Sequence, residues 1–324
     1  MNVADLFSTL IPVFFVLLLG FLAGKRHDFA PEQASGLSKL ALGFALPASL
    51  FDGMSNLPKP LLIAQWELAC LLLVVHLGLL GVAYLTLRYA LHLDAIASAL
   101  YALVLSTSAT PVFGISVLSP LLGPTSIGTV GLVALAINFS VPVAVILLEA
   151  FQTPDAGRVD RSQYVQELPS ATPNPIWKGV REGLKSPLLW APVLGVLVVL
   201  TGLHVPSLAR NSLNFIGSAT SGVAVFTVGL TLSAHAIALS RTVLLGTLGR
   251  LTLQTGLLLL GLHLLHISGP FAREALVCCS FPSATVSVLL ASKYRRAEAE
   301  IASILAFSTL LLIISVPVTL HLVR

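Results

Sequence analysis

From Trp66 to Leu87 the chain carries one charged side chain, Glu67, and from Ser126 to Leu148 it carries none. Runs of this kind match the roughly 20 mainly apolar residues a helix needs to cross the hydrocarbon core of a bilayer. Ten such segments are read along the chain, at about 6–24, 35–55, 61–87, 95–118, 126–150, 187–203, 211–233, 242–266, 272–291 and 300–322. Only 10% of the residues are charged, where a soluble domain carries about 25%. That is too little charge to build a polar shell, whereas lipid lets apolar surface face outward. The expected fold is therefore an all-α integral membrane protein of ten transmembrane helices.

The amino-terminal run ends on Lys25-Arg26, the reverse of a cleavable signal's polarity, so it is read as a first span. Cys70, Cys278 and Cys279 sit in apolar stretches without ligand spacing and are expected to be small buried hydrophobes. The basic residues are spread over short loops, with no basic face for nucleic acid. No H-E-x-x-H, G-x-S-x-G or phosphate-binding loop is present, so neither catalysis nor ATP hydrolysis is expected. No cofactor and no metal are expected either.

Loop charge orients the chain. With the amino terminus outside, thirteen of the 18 Lys and Arg residues fall on the cytoplasmic side, among them Lys25, Arg88, Arg241 and Lys293. Lys59, Arg210, Arg273 and Arg324 fall outside, and Arg250 lies within a span. The positive-inside rule then gives a multi-pass protein of the cell's inner (plasma) membrane with both termini on the outer side. The one long polar segment, with Pro154, Pro169, Pro173 and Pro175, is read as a cytoplasmic linker over 152–185.

Residues 1–151 then form a first five-helix repeat and 186–324 a second. Pro111-Val-Phe-Gly-Ile-Ser-Val-Leu118 matches Pro282-Ser-Ala-Thr-Val-Ser-Val-Leu289, which sets Ser116 on Ser287, and Val141-Pro142-Val143 matches Val316-Pro317-Val318. Five spans is an odd number, so the second repeat is expected to be inverted, an architecture of many secondary transporters.

The fourth and ninth spans cluster small hydroxyl residues around a proline: Thr110, Pro111, Gly114 and Ser116 in one, Pro282, Ser283, Thr285 and Ser287 in the other. A proline frees a backbone carbonyl, and in lipid that carbonyl must be satisfied or line a cavity. Broken helices at mid-depth present N-termini that favour anions and C-termini that favour cations. These eight residues, with Asn138 in the fifth span, are the candidate substrate ligands. Asn138 equally suits a contact between helices. Four ionisable residues are candidates for coupling: Glu67, His76, Arg250 and His263. An ionisable group inside a membrane is a functional suspect, but Glu67 and Arg250 also suit snorkelling to the nearer face, and the two histidines suit packing roles. Gly20-x-x-x-Gly24 is a weak helix-contact motif.

The chain resembles the bacterial auxin efflux carrier, or PIN-like, family. The resemblance is carried by Lys185-Ser-Pro-Leu-Leu-Trp-Ala-Pro-Val-Leu-Gly195, Thr201-Gly-Leu-His-Val-Pro206, Thr227-Val-Gly-Leu-Thr-Leu-Ser233, the stretch from Pro282 to Tyr294, and Phe307-Ser-Thr-Leu-Leu310. It implies a scaffold of spans 1, 2, 6 and 7 and a transport domain of spans 3–5 and 8–10. It also implies broken helices four and nine that cross, an elevator-type movement, a homodimer, and a small organic anion, auxin-like or a carboxylate, as substrate. Two departures stand out. The family's crossover prolines fall at Ser116 and Ser287, five residues after Pro111 and Pro282, and an asparagine common before the first crossover falls at Ala109. A channel or membrane sensor on the same scaffold is the alternative reading, and an intramembrane enzyme a third.

Overall fold

The computed structural model describes residues 3–150 and 187–322. The linker expected over 152–185 lies outside the described residues. Those described are helical throughout, with no strand and one isolated antiparallel bridge, Ser108 with Ser283.

The first half runs α1 (Val3–Lys25), α2 (Pro31–Leu40), a π-helical turn (Ala41–Ala45), α3 (Leu46–Ser55), the short α4 (Lys59–Ala64), α5 (Trp66–Leu85), α6 (Ala95–Ser106), α7 (Thr110–Leu122) and α8 (Ser126–Ala150). The second half runs α9 (Pro187–Thr201), α10 (Ser207–Gly217), α11 (Ala219–Ser233), α12 (Arg241–Leu264), α13 (Pro270–Cys279), α14 (Thr285–Tyr294), α15 (Glu298–Leu310) and α16 (Leu312–Leu322).

Among the described residues five helical stretches are long and apolar enough to cross a membrane: 8–25, 66–90, 126–148, 207–233 and 241–264. The pair α15 and α16, bent by 58° at their junction, makes a sixth if taken as one span. The other four expected segments fall on α9, on α2 with α3, and on the interrupted pairs α6–α7 and α13–α14. The outward surface of the long helices is itself apolar: Phe15, Val74, Val82 and Leu245 are exposed. Water would penalise such a surface and lipid does not. The chain is a multi-pass membrane protein.

Lipid supplies no hydrophobic drive between helices, so close approach relies on small residues. α1 and α11 lie along one another in this way. A Cβ on Gly20 would overlap the carbonyl oxygen of Phe226, and one on Gly24 would overlap the Ser233 hydroxyl. A Cβ on Gly229 would overlap the carbonyl oxygen of Leu17 and lie 2.7 Å from the nitrogen of Phe21. The Gly20-x-x-x-Gly24 motif thus meets the backbone of α11 at Gly20 and the Ser233 side chain at Gly24. α3 meets α9 similarly: a Cβ on Gly195 would lie 2.9 Å from the Phe51 carbonyl oxygen. The Ser49 hydroxyl donates to Gly217 O at 3.1 Å and lies 3.3 Å from the Thr220 hydroxyl. A second set of contacts joins α5, α6 and α8, and joins α12 to α5, α6, α13 and α15. Of the interrupted helices, α6, α13 and α14 lie within this second set, whereas α7 packs on α8 and also on α1 and α11.

Candidate functional site

α6 stops at Ser106 because the chain turns extended at Thr107, with φ −121° and ψ 132°. Helix resumes at Thr110, where Pro111 occupies the first turn, a position that needs no N–H donor. In the second half α13 stops at Cys279, and Pro282 lies in the extended stretch before α14 begins at Thr285. The two extended stretches cross as a two-stranded antiparallel contact. Ala109 N donates to Pro282 O at 2.8 Å and Ala284 N donates to Thr107 O at 3.3 Å, on either side of the Ser108–Ser283 bridge.

The bridge partners are 175 residues apart, the separation that also relates Val141-Pro142-Val143 to Val316-Pro317-Val318. At that separation Ser108-Ala109-Thr110 coincides with Ser283-Ala284-Thr285. The crossing therefore does not use the shorter separation that overlays Pro111 on Pro282. The two prolines sit at the breaks themselves. This corrects the reading that put the crossover positions at Ser116 and Ser287, which lie inside α7 and α14.

The crossing is buried and rich in hydroxyls. Ser106, Thr107, Ser108, Thr110, Ser283 and Ser287 are fully buried. The hydroxyls of Ser108 and Thr110 lie 2.6 Å apart, and Thr110 donates to Cys278 O at 2.9 Å, tying the start of α7 to the end of α13. Ser283 N donates to the Ser308 hydroxyl of α15 at 3.3 Å. Among the described residues the hydroxyl oxygens of Ser283 and Ser287 have no hydrogen-bond partner. A buried polar atom left in that state costs stability unless something else meets it.

Two residues of α12, one turn apart, reach the ends of both first half-helices. Arg250 donates through Nη1 to Leu105 O at 3.4 Å, and through Nη2 to Cys279 O at 3.2 Å and Phe281 O at 3.0 Å. Gln254 donates to Ser106 O at 2.9 Å. Carbonyls at a helix C-terminus lack intrahelical partners and carry about half a negative charge together, so a cation between two such ends is well placed.

The model of the membrane transport protein family matches residues 5–320. The chain belongs to this family, that of the PIN-type auxin efflux carriers. It is 28% identical to the uncharacterized transporter YfdV of Escherichia coli K12, over 97% of this chain and 96% of that protein. The same figures hold for the YfdV proteins of Escherichia coli O157:H7 and Shigella flexneri. The names of the family and of these relatives are those of transporters.

The remaining candidates separate. Arg250 is fully buried and does not snorkel, and His76 is fully buried on α5, with Nδ1 2.7 Å from Leu72 O. Glu67 and His263 are exposed, in the first turn of α5 and the last turn of α12, so the structure does not bring them to the crossing. A carboxylate in a first turn and an imidazole in a last turn each complement the helix dipole. Gly114 is buried, and a Cβ there would lie 2.7 Å from Val130. Ser116 is partly buried and its hydroxyl reaches Val112 O of its own helix at 3.4 Å. Asn138 is half-buried on α8, and Pro111 and Thr285 are half-buried at the starts of α7 and α14.

The sequence reading missed Ser108, Gln254, Glu274 and Thr129. The repeated Ser-Ala-Thr triplet is a signal for Ser108, and a position four residues after Arg250, hence on one helix face, is a signal for Gln254. Glu274, buried on α13, accepts a hydrogen bond from the Thr129 hydroxyl of α8. As the third residue of the expected span 272–291 it reads as a terminal charge.

Proposed function

We propose that the chain is a secondary carrier for a small organic anion, working by elevator-type alternating access, with ten spans in two inverted five-helix repeats. The observation that carries this reading is the reciprocal pair of backbone bonds about Ser108 and Ser283. Two inverted copies of one interrupted helix meet in that manner, and the separation of 175 recurs in the Val-Pro-Val pair and the Ser-Ala-Thr pair.

The chemistry follows from the four half-helix ends. The C-terminal ends of α6 and α13 are engaged by Arg250 and Gln254. The N-terminal ends of α7 and α14 begin at Thr110 and Thr285 without a side-chain cap. Uncapped N-termini with a favourable dipole suit a carboxylate, and the unpartnered hydroxyls of Ser283 and Ser287 supply further donors. Spans 1, 2, 6 and 7 form the scaffold, held by the α1–α11 and α3–α9 contacts, and spans 3–5 and 8–10 move as the transport domain.

Thermal-shift screening of the detergent-solubilised protein against mono- and dicarboxylates tests the reading. At least one carboxylate is expected to raise the melting temperature and to enter proteoliposomes that contain the protein. Stabilisation and uptake confined to cations or neutral solutes would overturn it.

A further inference from the structure

The crossing gathers carbonyls in the manner of a cation site. Leu105 and Ser106 end α6, Cys279 ends α13, and Phe281 follows it. The oxygens of all four accept hydrogen bonds from α12, three of them from the guanidinium of Arg250. Two helix C-termini, each carrying about half a negative charge, together ask for one positive charge. In a buried site a charge without a counterpart is costly, and Arg250 is fully buried.

We propose that this carbonyl cluster is a monovalent-cation site which the chain fills with its own side chain, so that Arg250 is a tethered counter-cation standing where a carrier could otherwise take an ion from solution.

Three observations support this. Among the described residues Arg250 has no carboxylate partner: its acceptors are the carbonyls of Leu105, Cys279 and Phe281. Glu274, the buried acid of α13, meets Thr129 of α8 instead. The charge of Arg250 is therefore balanced by carbonyl dipoles alone. The guanidinium fork spans both half-helices at once, reaching Leu105 on one side and Cys279 and Phe281 on the other, which a single ammonium point charge matches less well. Two more buried oxygens in this region, Gln254 Oε1 and Ser283 Oγ, lack a hydrogen-bond partner. Lone pairs of that kind can complete the coordination of a small cation when the guanidinium is removed.

A tethered cation cannot exchange with solution. The carrier then needs no sodium to neutralise its crossing, and the charge moves with α12 wherever that helix moves. The inference goes beyond anion carriage and does not depend on it, because the carbonyls need a cation whatever the substrate is.

The test uses the full-length protein in detergent, with no substrate present. Melting temperatures are compared in sodium, potassium and choline chloride at equal ionic strength for the wild type, R250A and R250Q. The two variants are also titrated with guanidinium at millimolar concentrations, far below those that denature. The wild type should be indifferent to all these exchanges. R250A should melt lower, and guanidinium should restore it saturably by about 5 °C, with sodium or potassium giving a smaller gain over choline. R250Q leaves more of the cavity filled and should recover less. A merely structural arginine would lower the melting temperature without any cation-specific recovery, and that result would overturn the proposal. Sodium-specific stabilisation of the wild type would also overturn it, because the cation site would then be elsewhere and open. Should R250A give no folded protein, R250Q titrated with guanidinium, together with the wild-type salt comparison, decides the matter on the same criteria.

Discussion

Ser116 and Ser287 look alike in the sequence and differ in the fold. Ser116 is partly buried, and its hydroxyl already has the Val112 carbonyl of its own helix. Ser287 is fully buried in the first turn of α14 and its hydroxyl has no partner. If a carboxylate binds at the α14 N-terminus, Ser287 is the serine that gains a bond. A hydrogen bond to a charged partner contributes about 1.5–3 kcal/mol, or roughly ten- to a hundredfold in affinity. Ser287→Ala should therefore weaken binding of a stabilising carboxylate by at least tenfold in calorimetry, and Ser116→Ala by less than twofold. Equal effects of the two would remove Ser287 from the site. Glu274 and Thr129 make a second pair at this scale. Thr129→Val preserves shape and takes away the one hydroxyl that meets the buried carboxyl. The cost is expected to be about 1–3 kcal/mol, seen as a melting temperature lower by several degrees. Glu274→Gln keeps a carbonyl oxygen to accept the bond and should cost less. A larger loss for Glu274→Gln than for Thr129→Val would show that the carboxylate serves something other than Thr129.

Among the helices, what the sequence showed and what it hid divide along physical lines. Long apolar runs are forced by lipid, so α1, α5, α8 and α12 appear in the sequence nearly at their observed bounds. Interruption was signalled by proline among small hydroxyl residues, which withholds one ladder donor, although Pro120, Pro142 and Pro317 sit inside continuous helices. The position of the break was not. Pro111 plays its part inside the first turn of α7 and Pro282 before α14, so aligning proline on proline slides the halves by four residues relative to the bridge. Arg250 was visible as a charge within a span, but nothing in one sequence says that its helix face meets two half-helix ends. The glycine motif of α1 was visible only as half of a contact, since its partner Gly229 lies far along the chain. That contact can be tested. A Cβ at Gly229 meets the backbone of Leu17 and Phe21, which cannot rotate away. Gly229→Ala should cost about 1–3 kcal/mol. Gly222→Ala, on the same helix with nothing within 4 Å of the new methyl, should be neutral or stabilise slightly. Thermal melts of the two variants in one detergent make the comparison, and similar losses in both would mean that α1 and α11 do not touch through Gly229.

For the whole molecule, orientation and movement are the properties that matter. The orientation expected from the loop charges would set the loop between α12 and α13 outside and the 152–185 segment inside. In a background without Cys70, Cys278 and Cys279, Ser268→Cys should react with an impermeant maleimide in intact cells, and Ser162→Cys only after permeabilisation. The opposite pattern would invert the carrier. Movement can be tested by tying helices together. In the elevator reading α3 belongs to the scaffold and α8 to the moving part, and they touch where a Cβ on Gly53 would lie 2.8 Å from the Cβ of Ile127. A disulfide needs a Cβ separation of roughly 3.5–4.5 Å, so Gly53→Cys with Ile127→Cys requires only that this crowded contact relax slightly. The control pair lies inside the scaffold. Ser49 and Thr220 have hydroxyls 3.3 Å apart, and cysteines there can join α3 to α11 without crossing to the transport domain. Both disulfides should form on mild oxidation, read as altered mobility on a non-reducing gel. Uptake of the carboxylate into proteoliposomes should then fall at least tenfold in the oxidised Gly53–Ile127 pair and recover on reduction, while the oxidised Ser49–Thr220 pair transports as before. A bridge within a body that does not deform leaves its movement free, whereas a bridge between two bodies that must slide stops them. Undiminished uptake through the oxidised Gly53–Ile127 pair would mean that α3 and α8 travel together, and the elevator division of the helices would have to be redrawn.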